Sequence, residues 1–397
     1  MISGIKRKLY LDPNLHLIFG ITAIAVMGVA NLTPAFPKII SELHIAPSAI
    51  GLLITAFTLP GVILTPVMGV LADRWGRKKI LLPSLLLFGI AGTACFWVRN
   101  YDLLLLLRVF QGIGGAALGS LNLTLIGDLY RDRERATVMG YNASVLSIAT
   151  ACYPVMGGAL TLLGWNYPFL MTIVAIPMGI LILLYLKNPE PVQAVKMKKY
   201  LLHTIALINN KNIWLLYSIS LFTFIILYGS YLTYLPLLLA RNFDISSFGI
   251  GILMSSYSLL NAVSSSQIGK LIARYSEKSL IKWSFLFFMV SMLMIPIIHN
   301  IYLMLLPTCL FGMGMGLAMP SLNNLLTGSA PLENRAAFMS LNGMMLRLGQ
   351  TLGPLLIGLC FILGDLNAAF WAGAGIALVV LLVLNTGKYL STANGSR

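Results

Sequence analysis

Apolar runs of about 20 residues recur along the whole chain, and a helix of that length crosses the ~30 Å hydrocarbon core of a bilayer. A water-soluble chain of 397 residues would fold as about two or three domains with amphipathic helices. Hardly any segment here carries a continuous charged face, and 58% of the residues are hydrophobic against 10% charged. The chain therefore reads as an all-α, multi-pass membrane protein.

Breaks marked by charges or by Pro, Gly and Asn divide the apolar sequence into twelve spans, the first near 15–38 and the last near 366–387. An even number places both termini on one side. The loops and termini of that side hold 22 of the 27 Lys and Arg residues, while only Lys38, Arg99 and Arg241 lie opposite. Both termini are thus expected in the cytoplasm of a bacterium or archaeon, with the plasma membrane as the location. The net charge of +15 is explained by this topology, because the basic residues are scattered over short loops and form no stripe for nucleic acid. Cys95, Cys152, Cys309 and Cys360 all fall inside apolar runs with no paired spacing, which predicts neither disulfides nor a metal site. The first run follows Lys6–Lys8 and lacks a small-residue cleavage site, so no removable leader is expected.

The longest polar-rich break, 187–211, lies near the middle of the chain and reads as a cytoplasmic linker between an N-terminal half, 1–186, and a C-terminal half, 212–397. A shift of 200 residues supports the division. It lays Gly69 on Gly269, Arg135-Ala136 on Arg335-Ala336, and Pro154 with Gly158 on Pro354 with Gly358. The "SLN" at 120–122 meets "SLN" at 321–323 after one extra residue. Matches in chain order point to two six-helix bundles related by pseudo-symmetry. Repeated halves of this kind provide alternating access to a site near mid-membrane.

The segment "GVLADRWGRKK", 69–79, lies in the inner loop between spans 2 and 3. Its cluster of basic residues, Arg74 and Arg77 among them, helps to hold that loop on the cytoplasmic side. Topology does not account for Asp73, Gly69 or Gly76. The glycines allow close helix approach and a tight turn. An acid at the membrane boundary can accept hydrogen bonds from a neighbouring helix N-terminus or pair with an arginine, and can lose those contacts when helices part. It would act as a latch.

This segment resembles G-x-L-A-D-R-x-G-R-K, the signature between spans 2 and 3 of the major facilitator superfamily, and the span count, repeat and central break extend the resemblance over the whole chain. The resemblance implies that Asp73, helped by Asp128 at the inner end of span 4, clamps the two halves on the cytoplasmic side. The second copy, "GKLIARYSEKS", has Ala273 in place of the acid, which implies a one-sided latch. "RVFQGIGGAALG", 108–119, is similar to the span 4 motif of the family's drug–proton antiporters, giving Arg108 and Asp128 a part in coupling. "YPVMGG", 153–158, resembles the span 5 motif of such exporters, G-P-x-x-G-G, with Tyr153 replacing its first glycine.

Ionisable groups deep in a span are costly, at ~2.5–3.5 kcal/mol for an arginine on insertion scales, and call for a role. Arg108 in the outer half of span 4 and Arg347 near the middle of span 11 are the two here. None of the twelve acids lies deep in a span, so the chain lacks the carboxylate with which many exporters of that group exchange a proton for a cationic drug. Arg347 with Gln350 offers a cationic spot for an anionic or hydrogen-bond-accepting substrate, against the alternative of an arginine that only locks helices. Gln111, Tyr231 and Asn261 complete the expected substrate contacts, the last two because spans 7 and 8 line the cavity in the resembled family. Tyr228, Tyr234, Tyr257, Ser264, Asn324, Thr327 and Asn31 are further candidates. His16, at the inner end of span 1, is a weaker candidate for coupling. The expectation is a monomeric secondary transporter exporting a small neutral or anionic amphiphile in exchange for protons, with uptake of an organic anion as the alternative. No cofactor, nucleotide site or paired catalytic groups are expected, and the chain reads as neither an ATP-driven pump nor an enzyme.

Overall fold

The computed structural model describes residues 12–186, 210–330 and 335–386, with the side chains of 132, 133, 336 and 337 excepted. Among the described residues the chain forms twelve long helical stretches in order: Pro13–Leu43, Pro47–Trp75, Arg77–Ala94, Tyr101–Leu129, Asp132–Leu163, Tyr167–Tyr185, Lys211–Phe243, Ser247–Ser266, Glu277–Met294, Leu305–Ser329, 335–363 and 366–385, with a short helix, Ile268–Ile272, between the eighth and ninth. The long stretches are called spans 1 to 12 here. Spans 11 and 12 run on as one helix except for a kink, where Asp365 takes φ 70°. Eight continuous helical segments meet the length and apolarity needed to cross a membrane, one of them covering spans 11 and 12 together. Spans 3 and 9 fall short because each opens on charges, Arg77, Lys78 and Lys79 in one and Glu277, Lys278 and Lys282 in the other, and span 8 is diluted by serines. The expected linker at 187–211 lies outside the described residues except for Asn210 and Lys211.

Local sequence fixes the ends. The side chains of Asp12, Asn100, Asn210, Ser246 and Ser276 each accept a backbone N–H at the start of a helix, supplying orphan donors with partners. Gly76 alone turns the chain from span 2 into span 3, at φ 98°, a backbone setting that disfavours any side chain. Span 7 is π-helical over Ile226–Tyr234, which places Tyr228, Tyr231 and Tyr234 in the wider turns; such insertions gather at functional sites.

Spans 1–6 pack into one bundle and spans 7–12 into another, and they meet along two seams: span 2 against span 11, and span 5 against span 8. The seams share one hydrogen bond and one glycine–proline contact at a shift of 200, and each adds a second hydrogen bond of its own. At the first, Thr55 Oγ1 donates to the Thr351 carbonyl at 3.1 Å, Thr351 Oγ1 donates to Thr58 Oγ1 at 2.9 Å, and Gly51 lies against Pro354. At the second, Ser255 Oγ donates to the Ala151 carbonyl at 2.5 Å, Ser258 Oγ donates to the Thr150 carbonyl at 3.0 Å, and Gly251 lies against Pro154. Each of Thr55, Thr58, Gly51, Thr351 and Pro354 differs by 200 from its counterpart. The duplication therefore supplies both halves of the lobe contact. Small residues let the helix backbones approach, and hydroxyls then bond across, as packing within lipid requires.

These contacts occupy the outer half of the molecule. Toward the side of the basic loops the seam helices diverge. Positions where a Cβ would meet nothing within 4 Å include Gly69 of span 2, Gly140 of span 5, Gly269 beyond span 8 and Gly343 of span 11. The described lobes are closed at the outer end and open at the inner one.

Candidate functional site

Arg347 lies where the closed outer half gives way to the open inner half. Its stem faces span 2, where a Cβ on Gly61 would stand 3.4 Å from Cδ and Nε, and its head faces span 4, where a Cβ on Gly119 would stand 3.9 Å from Nη2. Arg347 thus reaches from the C-terminal lobe to two glycines of the N-terminal lobe. It stays partly exposed. Its side-chain hydrogen bond runs from Nη1 to Gln350 Oε1 at 3.3 Å, and Gln350 Nε2 donates to the Tyr228 hydroxyl at 3.2 Å. No carboxylate lies within ion-pair distance of Arg347 among the described residues. The Tyr228 ring stacks on Phe224, with centroids 5.7 Å apart and planes at 15°. One cation, two polar groups and an aromatic face therefore meet in the space between the lobes.

Arg108 is enclosed. It is 1% exposed, its Nε donates to the Leu53 carbonyl at 3.0 Å, its Nη1 donates to Gln111 Oε1 at 2.7 Å, and its guanidinium carbon stands 4.5 Å from the centre of the Phe57 ring. These bonds tie span 4 to span 2 inside the N-terminal lobe. Gln111 is also fully buried and abuts Gly92 and Thr172 of spans 3 and 6. Here the expectation of a substrate contact at Gln111 meets a side chain turned into its own lobe.

Tyr231 is fully buried as well, stacked on Phe311 at 4.5 Å and tilted against Tyr257 at 5.4 Å. Its neighbours Tyr228 and Tyr257 are partly exposed, so the tyrosine face presented by spans 7 and 8 comes from those two in this conformation. The π-helical stretch changes the angle between successive side chains, and within it Tyr231, an expected substrate contact, is turned into its own lobe. Asn261 of span 8 is partly exposed and accepts from Ser265 Oγ at 3.4 Å. Asn31 and Tyr234 are buried; Asn31 Nδ2 donates to the Pro168 carbonyl at 2.8 Å, and Tyr234 stacks on Phe361 at 5.1 Å.

At the inner surface Asp73 pairs with Arg77, and Arg77 Nε donates to Asp128 Oδ2 at 3.0 Å. Three of the expected latch residues thus meet. All belong to the N-terminal lobe, and Asp73 has no partner in the other lobe among the described residues. Arg74 is exposed, and Gly69 has no close neighbour. Among the described residues the expected bridge between the halves is not formed, because the inner mouth is open.

Gly61, Gly119, Thr55, Thr58, Ser255 and Ser258 escaped the reading of the sequence. The shift of 200 that aligns Pro154 with Pro354 also aligns Thr55 with Ser255 and Thr58 with Ser258, a signal that could have found the seam.

Comparison with known proteins adds three findings. The sequence matches the family description Major Facilitator Superfamily over residues 18–240 and 219–392. It is 27% identical over 356 residues to the bacillibactin exporter of Bacillus subtilis (strain 168), covering 86% of this chain and 88% of that one. It is 24% identical over 390 residues to the quinolone resistance protein NorA of Staphylococcus aureus (strain MSSA476), covering 96% of each. Among solved structures, the nucleoside transporter NupG superposes with a TM-score of 0.74 at 16% identity, over 94% of this chain and 97% of that one.

Proposed function

The chain belongs to the Major Facilitator Superfamily, and from that premise we propose that it exports small amphiphilic compounds, neutral or anionic, in exchange for protons. As a family member it is a multi-pass secondary transporter of a small molecule and not an enzyme. The observation that carries the substrate class is Arg347: a cation between the lobes, with an aromatic face beside it and no carboxylate to pair with it among the described residues. A cationic drug would meet like charge there. Export is supported by the names of the relatives, a siderophore exporter and a quinolone resistance protein. The proposed location is the cytoplasmic membrane of a bacterium, with both termini inside and the protein acting as a monomer. With no acid deep in a span, protons travel on Asp128, on Asp73 or on the substrate itself. Rocking of the lobes about the two seams exposes the site to one side and then the other.

Liposomes containing the purified protein and an internal pH dye test this reading. Neutral and anionic amphiphiles added under an imposed gradient are expected to move protons, and cationic ones are not. Proton movement with cations alone would overturn the substrate class. A second reading, uptake of an organic anion, is favoured by Tyr153, which stands in place of the glycine of the exporter motif. It predicts accumulation of anion inside right-side-out vesicles energised with an outward-acid gradient, where export predicts depletion.

A further inference from the structure

We propose that Arg347, Gln350 and Tyr228 form a carboxylate-binding subsite, and that the substrates are amphiphilic carboxylic acids whose apolar body lies along the aromatic face of spans 7 and 8. The inference rests on the transporter reading only for the ligand's path; its binding chemistry is tested separately.

Three observations carry it. The first is the bonding of the cluster. Gln350 Oε1 takes one N–H of Arg347, and the Gln350 amide donates to the Tyr228 hydroxyl. Because Tyr228 oxygen already accepts, its own hydrogen is free to donate, and the remaining guanidinium donors face Gly61 and Gly119, which carry no side chain to meet them. Apart from Gln350 Oε1, already engaged, no acceptor among the described residues meets these donors. A carboxylate supplies two oxygens at the spacing of a guanidinium edge.

The second is the break in symmetry. One hydroxyl-to-carbonyl bond and a Gly–Pro contact recur across the seams at a shift of 200. One turn further inward the repeat fails: Arg347 answers to Ser147, Gln350 to Thr150, and Gly61 to Asn261. A contact needed only to hold the lobes together is served by either copy. The side that exchanges a serine for an arginine, and clears a glycine opposite it, is built for something outside the duplicated frame.

The third is cost. An arginine near mid-membrane loses hydration that one neutral glutamine replaces only in part. Arg108 is enclosed in this same chain by a carbonyl, a glutamine and a ring, with its Nη2 buried and unpartnered among the described residues. Arg347 has no such enclosure.

Binding is measured on the detergent-purified full chain by isothermal titration with three probes of one shape: 2-naphthoate, 2-naphthamide and 2-naphthylmethylammonium. The naphthoate is expected to bind about tenfold more tightly than the amide, and the ammonium more weakly than either. Arg347→Gln should abolish the preference for naphthoate and leave amide affinity within about twofold, while Arg347→Lys keeps part of it. Tyr228→Phe, which removes one oxygen, should lower naphthoate affinity about threefold and stands in if the arginine variant does not fold. Equal binding of naphthoate and amide by the wild type, no naphthoate binding, or an undiminished preference in Arg347→Gln would overturn the subsite. Flux in liposomes is read apart: naphthoate binding without transport sinks the transporter reading and leaves the subsite, and transport without a carboxylate preference does the reverse.

Discussion

At Gly157 the N-terminal bundle has no room for one more carbon. A Cβ there would overlap the backbone carbonyl of Asn31 in span 1, and backbone cannot swing aside as a side chain can. Gly140, on the same helix, faces open space. Gly157→Ala is therefore expected to destabilise the protein by ~1–3 kcal/mol through overpacking. The purified variant should melt ~1–4 °C below the wild type in detergent. Gly140→Ala should melt no lower, since alanine favours helix by ~1 kcal/mol over glycine. Equal melting of the two variants would remove the close approach of spans 1 and 5. The two arginines show what sequence can and cannot reveal at this scale. Both precede a glutamine by three residues, and both read as intramembrane cations in need of a role. Arg108 is enclosed because Phe57 and the Leu53 carbonyl of span 2 come to it; Arg347 is open because span 2 offers Gly61. That difference belongs to residues more than 50 positions away in one case and nearly 300 in the other, and no local pattern carries it.

The helices themselves were legible because lipid imposes a length, and charge marks their ends. The π-helical stretch of span 7 was not, since no local pattern marks it, and within it Tyr231 is buried while Tyr228 is half-buried. The seams lie between these cases: Pro154 and Pro354 announced a repeat, but only the packed helices show Thr55 and Ser255 doing the same task. Each donates one hydrogen bond across the lobes, and such bonds between membrane helices average ~0.6 kcal/mol. The seams are separate, so the two contributions add. Thr55→Val with Ser255→Ala should weaken the closed outer end by ~1.2 kcal/mol and raise the outward-facing population relative to the inward-facing one about five- to tenfold. Spin labels on Gly140→Cys and Gly269→Cys, in a chain with its four cysteines replaced, report the inner mouth by their separation. A growing short-distance population is the expected result. An unchanged distance distribution would mean that the hydroxyls do not hold the outer end shut.

For the molecule as a whole, closing the inner mouth brings the inner halves of spans 2 and 11 together, and Asp73 lies at the inner end of span 2. Here it pairs with Arg77, whose side chain is 12% accessible while the aspartate's is 57% accessible, and water around the carboxylate keeps the pair's contribution to stability small. Loss of the carboxylate therefore leaves the inward-facing state almost untouched, and any cost falls on the state in which the mouth is shut. An acid meeting a helix N-terminus is worth ~0.3–1 kcal/mol at a surface and up to ~2 kcal/mol when partly buried. Asp73→Asn should lower the short-distance population of the same label pair and slow transport by up to about tenfold, with melting unchanged within a few degrees. Wild-type rates, or a shift toward short distances, would take Asp73 out of the gate. The two ends of the molecule then oppose each other: the outer hydroxyls favour one state and the inner carboxylate the other. In the combined variant Thr55→Val, Ser255→Ala and Asp73→Asn, both states lose support, so the distance distribution should return toward that of the wild type. A single rocking equilibrium requires that cancellation, whereas separate local gates would leave the inner distances as they are in Asp73→Asn alone.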